Sequence, residues 1–352
     1  MPSAHKLASR LWLLFTLWIA GLSTASAEGG FLGALRRFDR WLEESQRAGI
    51  DTTYQDVPKL NRQVYLGTYN YWQNYQMTMP FEVENLASII PGIRDNDRYM
   101  INAYAVQSEV DLGIDWKGLA LELPIPIRNR YRLSLGLAKN GSVWGARVRY
   151  KRLHQMNGYC NVGDQSISEN NTLRIFYLEG YYVLNSRKFS LSAGLFADMV
   201  QKKSAGSPII FANYYQSRYR VDKLFPAKKD IFKTQQISVG AGYAYNLSIR
   251  GGKVVVHGSL VPMFTAYSHL SHVTDIDVKD YPEKWTEFYD SAVNGHARIC
   301  MNIFARFAIN YSFDRYLVSF LAHYRHYGYS NDKHLRILNQ EADAQLNFGV
   351  RF

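Results

Sequence analysis

Three side chains in the second half of the sequence have the types that nucleophilic catalysis requires. A serine hydrolase needs a serine hydroxyl, a histidine that takes its proton, and a polar group that orients the histidine. His257 and Ser259 lie two residues apart, so both would face one side of a strand, and His323 follows later in the chain. No Gly-x-Ser-x-Gly motif is present, and a pair enclosed by strands would not reach lipid. We therefore treat a lipid-modifying enzyme as the alternative hypothesis for the function of this chain and assign no catalytic residue.

A second group of polar residues would line the interior of a sheet that closes on itself. Their spacing places them between apolar residues, on the face that lipid does not contact. The candidates for lining the lumen or binding a ligand are Arg132, Arg147, Arg149, Asp198, Arg298, Arg306, His323, Arg325, Glu341 and Asp343. Because unpaired buried charges are costly, a small barrel must pair them. The set predicts a salt-bridged filling, or alternatively a narrow polar conduit or ligand site.

Residues 268–295 form an acidic segment in a basic chain. Asp275, Asp277 and Asp280 have a spacing that could supply oxygen ligands to Ca²⁺. The segment lacks the glycine and the terminal glutamate register of an EF-hand loop, so we interpret it as a solvated loop and expect no metal or cofactor. Its aromatic residues Tyr281, Trp285 and Phe288 could contact a protein partner, a glycan or lipopolysaccharide.

The last eleven residues indicate which elements position these side chains. From Ala342 to Phe352 every second residue is apolar, and the residues between are charged, polar or glycine. Strict alternation places the two sets on opposite faces of a strand. An apolar face toward lipid, a polar face toward the lumen and a terminal aromatic residue are typical of the closing strand of a bacterial outer-membrane β-barrel. Phe352 would then be part of the signal that the barrel-assembly machinery recognises.

The alternation continues upstream and predicts about twelve strands, within a range of 10 to 14. They cover residues 62–77, 107–123, 131–138, 142–151, 173–184, 188–201, 209–220, 233–247, 254–267, 297–313, 316–327 and the C-terminal run. Within 107–123 the phase changes at Lys117-Gly118, which predicts a β-bulge. This count puts the long segment 153–171 in the periplasm, where turns are usually short, so a miscount in the N-terminal half is expected.

The N-terminus predicts export. Lys6 and Arg10 precede an apolar run, and Ala25-Ser26-Ala27 forms a small-residue cleavage site, which together are typical of a signal peptide removed after Ala27. Residues 31–47 have apolar residues at helical spacing and predict an amphipathic helix. The predicted organisation is a signal peptide (1–27), a periplasmic helix and lead-in (28–60) and a transmembrane β-barrel (61–352). The fold class is all-β and antiparallel.

Charge and cysteine content narrow the functional classes. The formal net charge is +11, and removal of Lys6 and Arg10 leaves 39 basic residues against 30 acidic ones, or +9. Because the basic residues alternate with apolar ones inside strands rather than form a patch, we expect no nucleic-acid partner. Cys160 and Cys300 are the only cysteines. The periplasm permits a disulfide between them, but we do not expect one, because Cys160 falls in a predicted loop and Cys300 in the middle of a predicted strand.

Several short segments together resemble a family of outer-membrane proteins catalogued as domain of unknown function 4421. They are Asp51-Thr-Thr-Tyr54, Leu133-Ser-Leu-Gly-Leu137, Tyr181-Tyr-Val-Leu-Asn185 with Lys188-Phe-Ser190, Gln201-Lys-Lys-Ser-Ala-Gly-Ser207 and Val239-Gly-Ala-Gly-Tyr-Ala-Tyr-Asn246. The resemblance spans nearly all of the mature chain and implies an outer-membrane barrel. It implies no activity, substrate or catalytic residue.

These observations predict a monomeric outer-membrane barrel with a non-enzymatic role. That role would be a narrow passage, ligand binding or a structural part in the envelope. Outer-membrane lipid and lipopolysaccharide are the expected partners. The alternatives are a lipid-modifying enzyme and a surface protein that binds through residues 268–295.

Overall fold

Alternating side chains build this structure almost entirely from strands. A computed structural model of the chain describes residues 31–80, 98–125, 133–160, 165–166, 171–224, 227–275, 295–296, 300–330 and 335–352. The chain divides into two compact units between Gln46 and Arg47. The first contains most of helix α1, Phe31–Arg47, in which the Phe38 and Trp41 rings stack with centroids 5.7 Å apart. The predicted N-terminal helix is thereby confirmed.

The second unit is a closed barrel of twelve antiparallel strands. The strands are β1 Arg62–Pro80, β2 Arg98–Trp116, β3 Leu119–Ile125, β4 Leu133–Lys139, β5 Trp144–His154, β6 Asn171–Val183, β7 Ala205–Leu224, β8 Ala227–Ile249, β9 Val254–Asp275, β10 Met301–Phe313, β11 Tyr316–Ser330 and β12 Arg336–Arg351. Each pairs with its neighbours along the chain, and β12 pairs with β1 from Arg351 opposite Gln63 to Arg336 opposite Thr78. The sheet therefore has no free long edge, as a membrane barrel requires.

The two ends of the barrel differ in their connections. Short turns at 117–118, 140–143, 250–253 and 314–315 lie at the end that holds Phe352, which we call the turn end. The longer connections, including 155–170 and 276–300, join strands at the opposite end, the loop end. Segment 153–171 is therefore not among the short turns, and the predicted parity of the N-terminal half was wrong.

The first cause of that error is the turn at Lys117-Gly118. The predicted strand 107–123 is in fact two strands, β2 and β3, which pair from Trp116 opposite Leu119. Lys117 and Gly118 have φ of +52° and +81°, as in the tight turns that join hairpin strands. The Gly118 N–H donates to Asp115 Oδ1 at 2.9 Å and stabilises the turn. The predicted β-bulge was wrong, because a tight turn changes the phase in the same way.

The second cause is segment 188–201, which is not a wall strand. Residues 184–204, which we call the plug, fold against the inside of the barrel at the turn end. The plug contains the short helix α2, Leu191–Leu195, and the Ser190 hydroxyl caps it by accepting a hydrogen bond from the Ala193 N–H at 3.1 Å. Only Val200–Gln201 is extended, and it pairs with Gln55–Asp56 in the lead-in. The strand count of twelve is confirmed, because one strand too many here balanced one too few at Gly118.

The outer face of the barrel is apolar. Exposed side chains follow one face of each strand, including Leu66, Leu137, Leu178, Val239, Leu260, Phe307, Phe320 and Phe348. The predicted alternation of the C-terminal strand is confirmed, because Leu346, Phe348 and Val350 are exposed whereas Asp343 and Arg351 are buried. Such a continuous apolar face is favourable in contact with lipid and would be unfavourable in water.

Strand length varies around the barrel. The strands β7, β8 and β9 have 20, 23 and 22 residues, whereas β3 and β4 have 7 each. At about 3.3 Å per residue and a tilt near 40°, the long strands reach roughly 50 Å, about twice the apolar band of an outer-membrane barrel. Where β3 and β4 stop short, Asn157–Cys160 pairs with β2 in their place.

The interior is filled rather than open. Toward the loop end it holds a cluster of aromatic and aliphatic side chains that includes Tyr75, Ile101, Leu173, Tyr219, Leu270 and Ile337, all buried. The Tyr75 and Tyr219 rings stack with centroids 4.6 Å apart. Toward the turn end, Leu191 and Leu195 of the plug pack in a second cluster with the wall. The prediction of a polar lumen is therefore only partly right, since apolar layers lie on both sides of the charges.

Substituting Gly113 by alanine should destabilise the barrel. Gly113 lies opposite Tyr65, and a Cβ at Gly113 would stand 1.9 Å from the Tyr65 Cζ atom. Moving this packed ring costs about 1–3 kcal/mol, so we expect a lower midpoint of urea unfolding in detergent. Gly258→Ala is the matched control, because a Cβ there meets nothing within 4 Å. Equal midpoints for the two variants would contradict this packing.

Candidate functional site

Between the two apolar layers lies a ring of ionisable side chains, which we call the charged belt. It consists of Glu122, Arg147, Arg149, Lys151, Glu179, His323, Arg325, Glu341 and Asp343, contributed by β3, β5, β6, β11 and β12. All nine are buried. Period-two alternation points each of them inward.

Glu122 neutralises two arginines on one side of the belt. Arg147 Nη2 donates to Glu122 Oε1 at 2.6 Å, and Arg149 Nη2 donates to Glu122 Oε2 at 2.5 Å. Each carboxylate oxygen therefore has its own cationic donor, which is the geometry of strong charge-assisted hydrogen bonds.

Arg325 is the centre of the belt. Its Nε donates to Glu179 Oε1 at 3.2 Å, and its Nη1 donates to Glu341 Oε1 at 2.9 Å and to Asp343 Oδ2 at 3.0 Å. Lys151 Nζ also donates to Glu341 Oε1, at 2.5 Å. Three carboxylates on two different sides of the barrel thus meet at one guanidinium, which links β11 and β12 to β6 through the interior.

The belt leaves no wide passage among the described residues. Side chains that faced a water-filled channel would be exposed, yet the side chains of Lys151, Arg325 and Glu341 are 0%, 2% and 1% exposed. Two interior cavities each offer about 20 Å³ to the centre of a water molecule. A site of that size holds one or two waters, so the charges serve as paired filling in this state.

His323 does not join the predicted serine and histidine. His323 Nδ1 lies 2.8 Å from Asp343 Oδ1, so this histidine belongs to the belt. The third member of the group, which orients the histidine, is Asn246 instead. His257 Nε2 lies 3.1 Å from the Ser259 Oγ, and His257 Nδ1 lies 2.7 Å from the Asn246 Oδ1. Asn246 was missed because it is on the neighbouring strand, and a single sequence does not show which strands pair.

The tautomer of His257 follows from the contacts of Asn246. The Asn246 amide nitrogen donates to the Ser190 carbonyl at 2.7 Å and to Gln201 Oε1 at 3.2 Å. Its oxygen must therefore face His257, so His257 Nδ1 carries the proton and Nε2 accepts from Ser259. Ser259, His257 and Asn246 thus have the hydrogen-bond order of a nucleophile, a base and an orienting group.

The plug is fastened by wall side chains that donate to its main-chain carbonyls. The donors are Gln63 Nε2 to Phe196 at 3.0 Å, Asn246 Nδ2 to Ser190 at 2.7 Å, Asn310 Nδ2 to Gly194 at 2.5 Å and Arg351 Nη2 to Ala197 at 2.5 Å. Gln201 holds the plug internally by donating to the Lys188 carbonyl at 2.7 Å. Four separate strands therefore hold the plug in place.

Asp198 is a buried carboxyl in the plug and not on a wall strand as predicted. Burial raises the pKa of Asp198 above its ordinary value, although the charges of Lys139 and Arg351 favour the ionised form. Asp115 is the other carboxyl whose charge interacts with it. The fold therefore binds a proton at Asp198 more tightly than the unfolded chain does.

Asp198→Asn should raise the stability of the barrel at neutral pH. Because the pKa of the folded Asp198 carboxyl is raised, the unfolded chain ionises first as the pH rises above about 4, and the contribution of Asp198 to stability falls. Asparagine is neutral at every pH, so we expect a higher Tm than wild type at pH 7 and a gap that closes near pH 3. Asp314→Asn in an exposed turn is the control. A lower Tm for Asp198→Asn at pH 7 would contradict the prediction.

The remaining predicted site residues fall into three groups. Arg306 is buried in the barrel, as predicted, but lies outside the ion pairs of the belt. Arg132, Arg298, Asp277 and Asp280 lie outside the described residues, as does most of segment 268–295, so the metal and surface-binding interpretations stay predictions. Cys160 is buried at the end of a short strand and Cys300 precedes β10, and no disulfide joins the two.

Three members of the belt, Glu122, Lys151 and Glu179, are not among the ten lumen or ligand candidates given above. Lys151 and Glu179 face inward at the same period-two spacing as Arg147 and Arg149, so their positions could have revealed them. Among the described residues, no group of three or more histidine, cysteine or carboxylate side chains could hold a metal ion. No helix in that part of the chain is long and apolar enough to cross a membrane.

A closed antiparallel barrel with an apolar outer face, short turns at one end and longer connections at the other defines an outer-membrane β-barrel protein. The family model for the domain of unknown function DUF4421 matches residues 49–352. The chain belongs to that family, and the resemblance of its short segments is confirmed. Outer-membrane barrels usually have their short turns on the periplasmic side.

Several solved bacterial barrels resemble the chain at low identity. The outer membrane protease OmpT from Escherichia coli has a TM-score of 0.41 at 7% identity, with 84% of this chain and 98% of that chain covered. The translocator domain of the autotransporter NalP from Neisseria meningitidis has a TM-score of 0.30 at 7% identity, with coverages of 91% and 97%. No curated protein matches the chain at a significant level. These similarities carry no information about activity.

Proposed function

We propose that this protein is a non-enzymatic outer-membrane barrel with a sealed interior and a structural role in the envelope. The observation that carries the proposal is the charged belt, whose ion pairs cross the interior and bury their side chains. An aqueous passage needs hydrated lining groups, whereas these groups satisfy one another. Contacts with other molecules of the envelope would then form at the two ends of the barrel and on its lipid-facing surface.

The plug supports the same proposal from the periplasmic end. It is held by side chains of four strands and packs its leucines in an apolar cluster with the wall. The belt and the plug close the barrel at two levels, so loss of one closure leaves the other. A monomer suffices for this arrangement, because the barrel closes through its own first and last strands.

Single-channel recording tests the proposal. The refolded mature protein, in a planar bilayer, should give no steady openings, and a variant with Lys188–Ser204 replaced by a short glycine-serine linker should also stay silent. Heat-modifiable migration on a gel must show that both proteins are folded. Steady, salt-dependent openings of the folded wild-type protein would overturn the proposal in favour of a narrow passage.

A lipid-modifying enzyme is the second candidate, and the order of Ser259, His257 and Asn246 favours it. Such a site would cleave an ester by attack of the Ser259 Oγ on the carbonyl carbon while His257 Nε2 takes the hydroxyl proton. The ester C–O bond then breaks as His257 gives that proton to the leaving alcohol, and water hydrolyses the resulting acyl-serine. His257 is fully buried beneath the plug, so a substrate would require the plug to move. A fluorophosphonate probe should label wild-type protein and not Ser259→Ala if this candidate is right. The structural proposal predicts no labelling of either.

We also propose that the protein reaches the membrane through a signal peptide and that its last strand is recognised by the barrel-assembly machinery. The basic start and the small residues up to Ala27 support the first step, and the alternating final strand supports the second. N-terminal sequencing of the protein from outer-membrane fractions should begin at Glu28. A start at Met1 would contradict cleavage.

A further inference from the structure

One buried cation of the barrel has no ion pair among the described residues. Arg306 on β10 is 8% exposed, and its guanidinium carbon lies 5.1 and 4.1 Å from the ring centroids of Phe211 and Phe304. The two ring centroids are 5.0 Å apart, so the guanidinium packs beside this pair of rings. Such contacts supply neither a counter-charge nor a conventional acceptor for the N–H groups at the edges of the guanidinium. No described side chain or carbonyl accepts from those edges. The nearby Glu179 carboxylate is already paired with Arg325. Because a buried charge without a partner of its own is costly, a further counter-charge is expected at Arg306.

Arg306 lines one of the two small interior cavities described above. Asn140, Arg147, Glu179 and Tyr181 line the same cavity, together with phenylalanine rings. The buried Asn140 Nδ2 and Arg147 Nε atoms donate to no group among the described residues, and no described group accepts from the buried Tyr181 hydroxyl. Glu179 is the one carboxylate in the lining, and it already accepts from Arg325 at 3.2 Å. Donors therefore surround the cavity without matching acceptors.

We propose that this cavity binds one small monovalent anion, such as chloride. An anion accepts hydrogen bonds from several donors at once and neutralises Arg306, which a water molecule does not. The cavity offers about 20 Å³ to a water-sized centre, which suits a single halide ion and excludes carboxylates and sugar acids. The bound ion would complete the charge balance of the barrel beside the charged belt.

Halide-dependent stability is the first test. A ligand that binds only the folded state stabilises it in proportion to the logarithm of its concentration above Kd. In detergent at constant ionic strength, the wild-type Tm should rise as sodium gluconate is replaced by sodium chloride or bromide. Arg306→Met should lose this rise, and Arg315→Met, in an exposed turn, should keep it. Equal Tm values for the wild type in gluconate and chloride would overturn the proposal.

Two milder variants keep the test decisive if Arg306→Met fails to fold. Tyr181→Phe and Asn140→Ala each remove a single donor, so each should shift the chloride dependence to higher concentration while the barrel still folds. Bromide soaked into crystals of the full mature chain should also give an anomalous scattering peak in the cavity. A cavity filled by water alone, without a bromide peak, would show that the donors are merely hydrated and would refute the anion site.

Discussion

Arg325→Met is expected to prevent formation of a stable barrel. The substitution keeps an apolar stem of similar length but removes the guanidinium that Glu179, Glu341 and Asp343 share. Breaking one buried ion pair by removing a partner costs about 3–5 kcal/mol, and here three carboxylates lose a donor together. Because whole domains are stable by only about 5–15 kcal/mol, most of the refolded protein should run as the unfolded species in heat-modifiability gels.

Arg315→Met serves as the control for this prediction. Arg315 is exposed in the turn between β10 and β11, so its substitution removes the same charge without opening the interior. We expect its unfolding midpoint in urea to match that of the wild type. If Arg325→Met refolds with an equally unchanged midpoint, the carboxylates of the belt are hydrated and the interior is not sealed.

The second large effect is a coupling between Lys151 and Glu341. Lys151→Met leaves Glu341 with Arg325 as its remaining cation, and Glu341→Gln leaves Lys151 as a fully buried ammonium without its counter-ion. Each single variant should lose about 3–5 kcal/mol. The double variant should lose less than the sum of the two, because no unpaired charge is left behind.

Equilibrium unfolding of the four proteins in this cycle measures the coupling directly. Glutamine is chosen at position 341 because its amide oxygen can still accept from Arg325 in the place of Oε1, while its amide nitrogen, in the place of Oε2, can donate to the Tyr177 hydroxyl oxygen. The cycle therefore isolates the Lys151 contact. Strictly additive losses would mean that the two charges do not interact in the folded barrel.

The fold was largely predictable from the sequence because outer-membrane strands are half lipid-facing. Alternation along β10 and β12 directs Phe307 and Phe348 outward and Arg306 and Asp343 inward, and these directions are confirmed. The pattern fails where both faces are buried. In the plug, Phe189 and Leu191 alternate with serines, as apolar and polar residues do in a barrel strand. The plug has no lipid-facing side, however, so this alternation does not show that the segment is part of the barrel wall.

The site was less predictable because alternation assigns a face and not a neighbour. Arg147 and Arg149 were expected inside, yet their partner Glu122 is two strands away, and Glu179 reaches Arg325 across the interior. Such contacts depend on strand count and on the register between strands. The miscount at Gly118 and in the plug changed the order of every strand between them, so partners in that half could not be deduced.

The pairing of β1 with β12 has a consequence for how the chain folds. Sixteen residue pairs join the first strand to the last, across nearly the whole length of the barrel sequence. Contacts so distant in sequence form late and slowly, and until they form both strands are open edges that can pair with other chains. An incompletely made chain can therefore form hairpins but cannot complete its topology. Between synthesis and insertion, the molecule depends on being kept apart from copies of itself.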